Sequence, residues 1–176
     1  MSGHNKWSKI KNKKGAEDAK RSQVFSKYSK LITVISKKVG GKISSPELAA
    51  IVESAKKENM PKDTIERAIK KGTDSGTLDM ENVVYETYGP GGVAIIIEGL
   101  TDSKNRTAAE IRHLLSKNGY ELAQPGAASW AFEKEGNKWV AKTLVDLSDE
   151  DLEKLSSLVD SFEELEDVQE VFTNAE

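Results

Sequence analysis

Cysteine is absent from this sequence, which removes disulfides, thiolate zinc sites and cysteine nucleophiles from consideration. Histidine is nearly absent: only His4 and His113 are present. Two imidazoles do not complete a closed zinc site, and no nucleophile-elbow pattern sets a serine beside either of them. No catalytic residue, metal or cofactor is therefore assigned. Long apolar runs are missing too. None approaches the roughly 20 residues that span a bilayer, and Met1 to Lys14 holds no apolar signal-peptide core. These absences predict a non-enzymatic, cytoplasmic protein with no membrane partner.

What the chain does have is charge, unevenly spread. Residues 1–42 carry twelve Lys or Arg against Glu17 and Asp18, a balance of +10. Residues 43–76 hold six of each sign, and residues 77–176 hold eight basic and twenty-one acidic side chains, a balance of −13. The formal charge of −3 for all 176 residues thus conceals a strongly cationic N-terminal end. Such asymmetry points to a polyanionic partner for that end, usually nucleic acid and less often a membrane surface. It also separates a basic helical domain, residues 1–76, from an acidic one, residues 80–176.

Periodicity gives the elements. From Ala16 to Val39 the residues Val24, Phe25, Tyr28, Leu31, Ile32, Ile35 and Val39 recur at helical steps and fill an arc of about 120°. Gly40-Gly41 ends that helix, Ser45-Pro46-Glu47 opens a second, and Pro61 restarts a third that Gly72 closes. These make a three-helix bundle. Beyond it, β-branched and aromatic runs flank Gly89-Pro90-Gly91-Gly92, and a helix is expected over 107–118. Two strands joined by Glu135-Gly136-Asn137, a helix capped by Ser148 and a last strand from Val168 follow. The expected class is α+β: the bundle, then a ferredoxin-like α/β domain with an antiparallel sheet.

The candidate nucleic-acid contacts follow from charge. Lys6, Lys9, Lys11, Lys13 and Lys14 form an arm before the long helix, and lysine contacts to phosphate are insensitive to sequence and released by salt. Trp7, among them, either stacks on a base or docks on the bundle core. Lys20, Lys27, Lys30, Lys37 and Lys38 share an arc of about 100° on the long helix, with Arg21 inside the apolar stripe. That lysine arc reads as a phosphate-tracking face, against an ordinary solvated face or a membrane-surface helix. Lys104 and Arg106 open a helix whose dipole adds to their charge, a candidate anion site. The Gly89–Gly92 turn is either a structural hairpin or a phosphate nest.

Several segments together resemble one family. Gly3-His4-Asn5-Lys6-Trp7, Ile10-Lys11 and Ala16-Glu17-Asp18-Ala19-Lys20-Arg21 are similar to the N-terminal signature of the YebC/PmpR family. The run from Asn59 to Ile69 resembles its second signature, Tyr88 to Ala94 its third and Thr101 to Thr107 its fourth. The resemblance implies a DNA-binding transcriptional regulator, or alternatively a ribosome-associated translation factor or translational activator binding rRNA or tRNA. Two departures stand out. Members usually insert a third α/β domain after the strand ending near Lys134, whereas here Glu135-Gly136-Asn137 leads straight to the closing segment, so that domain is expected to be absent near 135–137. The second helix opens with Ser45-Pro46-Glu47-Leu48 where a basic residue is usual. Target sequence and oligomeric state are not readable from the chain.

Overall fold

The computed structural model describes residues 6–13 and 17–176. Its helices are α1 (Lys6–Lys13), α2 (Glu17–Val39), α3 (Pro46–Lys57), α4 (Lys62–Thr73), α5 (Lys104–Lys117) and α6 (Asp149–Glu163). Its strands are β1 (Glu81–Tyr88), β2 (Ala94–Thr101), β3 (Leu122–Ala123), β4 (Phe132–Glu135), β5 (Lys138–Ala141) and β6 (Val168–Thr173). None of the helices is long and apolar enough to cross a membrane. The chain divides into two compact units: residues 15–80, and residues 81–176 together with α1. The basic arm therefore packs with the acidic half, where the sequence boundary at 76 places it with the bundle.

The helical unit closes around Ile32 of α2, Leu48, Val52 and Ala55 of α3, and Met60, Ile65 and Ala68 of the α4 segment. Phe25, Tyr28, Ile35 and Val39 pack against this seam, as their spacing predicts. The α2–α4 crossing is polar at its centre. Thr33 Oγ1 donates to the Ala68 carbonyl at 3.2 Å, and Ser36 Oγ donates to the Ile69 carbonyl at 2.6 Å. Gly72 is part of this crossing and does not terminate α4, which continues to Thr73. A Cβ on Gly72 would lie 2.5 Å from the Thr33 carbonyl oxygen.

In the second unit the four-stranded sheet has the order β3-β1-β2-β6, with every neighbour antiparallel. β2 and β3 flank β1 and are joined through α5, the split βαβ of a ferredoxin-like sheet. The inner strand between them is β1, which precedes the βαβ unit in the chain. One face is packed by Ile95 and Ile97 against Ile111 and Leu115 of α5 and Leu152, Leu155, Val159 and Phe162 of α6. The other carries Ala94, Ile96 and Phe172 under Ala131, Phe132 and Trp139. β2 is consequently buried on both faces. The pair β4–β5 was expected to supply sheet strands, but forms a separate two-stranded hairpin laid over that second face. Its inward residue Trp139 donates to Glu98 Oε1 at 2.7 Å and lies 4.8 Å from the Lys134 ammonium, which itself pairs with Glu98. The sheet strand that follows α5 is the two-residue β3, too short for an alternation signal.

Candidate nucleic-acid interface

Within the helical unit, α2 sets its lysines against its packing. At 100° per residue Lys20, Lys27, Lys30, Lys37 and Lys38 fall within about 100° of arc, largely opposite the buried Ile32, Thr33 and Ser36. Lys20 and Arg21 are exposed. Arg21 lies on the inward arc of the wheel, yet it stays solvated because the packed stretch of α2 begins only at Phe25. Lys27 and Lys30 are half-buried and have partners. The C-terminal pair is mixed with acids: Lys37 reaches Asp79 at 2.7 Å and the Thr77 carbonyl at 2.5 Å, and Lys38 reaches Glu47 at 3.0 Å. The hydrogen bond and charge of Lys37 hold the Asp79 carboxyl below its ordinary range. All three contacts are solvent-exposed, so phosphate can compete for these ammonium groups at little cost. A cavity of about 210 Å³ lies beside them, lined by Thr33, Val34, Thr77, Leu78 and Met80 as well as both lysines.

Charge balance by segment hid further cations. Lys70 and Lys71 are exposed in the last turn of α4 and pair with no acid among the described residues. They belong to a segment that sums to zero, because Glu47, Glu53 and Glu58 offset them in sequence while lying on and just beyond another helix. Arg67 folds back on its own helix, its Nε donating to the Asp63 carbonyl at 3.3 Å.

In the second unit the arm is a helix, and Trp7 is its anchor. Trp7 is 8% exposed within the core formed by β2, α5 and α6, with Ile10 packed against the same cluster. This corrects the expectation that Trp7 docks on the bundle, and its buried ring is not presented to a base. Only two apolar residues mark α1, too few for a periodic signal. Lys6, Lys9 and Lys11 are exposed, and Lys11 lies 3.6 Å from Glu163 of α6. Lys14 and His4 lie outside the described residues, as does the side chain of Lys13.

The α5 N-terminus is held by acids. Lys104 pairs with Glu81, which raises the ammonium pKa through its hydrogen bond. Arg106 Nη2 lies 2.7 Å from Asp102 and 2.8 Å from Asp167, and these contacts raise the guanidinium pKa further. Asp167 is 3% exposed and also accepts from Thr101 Oγ1 at 3.1 Å and Thr107 Oγ1 at 2.7 Å. The Arg106 guanidinium thus clamps β2 and α5 to the α6–β6 connection. The helix begins at Lys104, earlier than expected, because Ser103 caps it by accepting from the Arg106 N–H at 3.4 Å. In the Gly89–Gly92 turn the N–H groups of Gly89 and Gly92 are used internally, donating to the Val93 and Gly89 carbonyls. An Asp151 oxygen lies 3.2 Å from where a Gly91 Cβ would stand, an unfavourable neighbour for phosphate. His113 is exposed on α5, and no metal-holding cluster occurs among the described residues.

Two family models cover almost the whole chain: the TACO1/YebC protein N-terminal domain over residues 5–75, and the TACO1/YebC second and third domain over 80–138 and 134–175. The chain belongs to the TACO1/YebC family. The two stretches of the second match meet at 134–138, which is the β4–β5 turn. A protein of Desulforapulum autotrophicum is 53% identical over 153 residues, covering 86% of this chain and 61% of its own length. One of Halothermothrix orenii is 47% identical over 167 residues, 93% of this chain and 63% of its own. Both bear the name probable transcriptional regulatory protein. The chain therefore spans about three fifths of the length of these relatives. Among solved structures, a conserved hypothetical protein of Aquifex aeolicus superposes with a TM-score of 0.80 at 30% identity, covering 93% of each chain.

Proposed function

We propose that this TACO1/YebC member is a cytoplasmic, non-catalytic regulator of gene expression that binds nucleic acid through the outer face of α2. The observation that carries the reading is the lysine face itself, turned away from Ile32, Thr33 and Ser36, with the ion pairs of Lys37 and Lys38 lying at the solvent surface. The arm lysines Lys6, Lys9, Lys11, Lys13 and Lys14 add a second cationic element, and Lys104 with Arg106 has a structural role first. The relatives' name favours a transcriptional regulator, for which we propose duplex DNA as the polyanion. A second reading, a ribosome-associated translation factor on rRNA or tRNA, is favoured by the side chains on the face. A face of lysines reads charge more than base edges, which suits RNA at least as well as duplex DNA. We also infer that the β4–β5 turn replaces the internal domain of longer members.

Fluorescence anisotropy with labelled duplex DNA and an rRNA fragment, titrated against salt, tests the interface. Neutralising Lys20, Arg21 and Lys38 to Gln should weaken binding and lower the log–log salt slope on duplex DNA, by about 0.9 for each phosphate left unneutralised. An unchanged slope would remove α2 from the interface. Sedimentation of a lysate at low and high salt separates the two readings. Salt-sensitive co-migration with ribosomes selects the translation factor, and free migration beside intact ribosomes selects the DNA regulator.

A further inference from the structure

α1 is an eight-residue helix whose contacts divide by chemistry. Trp7 and Ile10 enter the core beneath α6, while the basic side chains Lys6, Lys9 and Lys11 stay at the surface. Lys11 turns toward Glu163, 3.6 Å away, on a helix that carries Asp149, Glu150 and Asp151 in its first turn. A helix this short has little stability of its own, so its folding depends on the seat. The ion pair that faces the seat joins an exposed Lys11, at 42%, to a half-buried Glu163, at 28%, and is open to displacement by a denser anion.

We propose that α1 is a displaceable strap: α6 holds it through Trp7 and the Lys11–Glu163 pair, and nucleic acid that captures its lysines lifts Trp7 out of the core. The inference rests on the nucleic-acid reading above. It makes full engagement of the arm conditional, because phosphate must replace Glu163 at Lys11 and the released helix then exposes an indole. That indole becomes available to stack on a base only after release. The occupied seat explains how a residue placed among five lysines comes to be buried.

The test uses the full chain and a labelled DNA duplex. Glu163→Gln removes the partner of Lys11, and Glu164→Gln removes an equal charge at the exposed end of the same helix. Binding by Glu163→Gln should exceed that of Glu164→Gln by about two- to fivefold, the range set by one exposed ion pair. Fluorine NMR on protein labelled with 5-fluorotryptophan gives one resonance for each of the three tryptophans, with Trp7 assigned by Trp7→Phe. At saturating duplex the Trp7 resonance should move to the solvent-exposed position. An unmoved resonance on a protein that does bind overturns the strap, whatever the charge variants do. Lys9→Glu tests the underlying reading separately: unchanged affinity takes the arm, and the strap with it, out of the mechanism. Weakened affinity with an unmoved resonance overturns the strap alone.

Discussion

Asp167 gathers Thr101, Thr107 and Arg106 on a single buried oxygen, so it is the residue on which the α5 N-terminus depends. Lys104 and Arg106 look like an anion site in sequence because the buried partner of Arg106 is some sixty residues away. Spacing along the chain cannot reveal a cation already neutralised from afar. Asp167→Ala should lower stability by about 2–3 kcal/mol, the scale of hydrogen bonds to a charged group, read as a lower melting temperature. Glu86 is a second carboxylate with a structural post. Burial alone pushes its carboxyl upward, but N–H groups of Gly126, Ala128 and Ser129 at 2.7–2.8 Å outweigh burial and hold it below the ordinary range. A depressed carboxyl contributes stability above its unfolded pKa, near 4.3, and loses that contribution as pH falls through the lower folded value. Urea unfolding followed at successively lower pH should therefore show a loss below about pH 4.3 that Glu86→Gln lacks. An identical pH dependence in both proteins would count against this.

Among elements, those with regular periods were legible and the rest were not. The bundle helices and α6 follow their apolar spacing closely, and Ser148 caps α6 as its position predicts, accepting from the Asp151 N–H at 3.1 Å. α1 and β3 escaped because two apolar residues, or two residues in all, carry no period. The β4–β5 turn was visible, but its destination was not, since alternation does not say which sheet a strand joins. Gly72 has the look of a helix stop in sequence and is a packing glycine in the fold. Its missing side chain admits the Thr33 carbonyl and Ser36 of α2, so Gly72→Ala should cost about 1–3 kcal/mol through overpacking, measured by chemical denaturation. An unchanged midpoint would mean that the crossing yields more easily than these distances imply.

At the scale of the molecule, segment charges located the cationic end correctly but did not reveal what it packs against. One cationic element, α1, lies in the same unit as the acidic surplus of residues 77–176, with Lys11 facing Glu163. The α2 face remains with residues 15–80. Neither partition follows from counting charges, because Trp7 and Ile10 decide the placement of α1 by burial.

The order of the sheet has a consequence for the newly made chain. β1 and β2 pair over eight residues as soon as both have left the ribosome, since the ladder from Glu81–Thr101 to Tyr88–Ala94 is local. The far edge of β2 must wait for β6, which follows it by more than sixty residues in the chain. Until then a strand containing Ile95, Ile96 and Ile97 stands with one edge unpaired, a template for another chain. A product ending before Val168 should therefore self-associate more than the full chain, visible as stronger light scattering on release. A clear solution of that truncated product would show that the nascent sheet protects itself by other means.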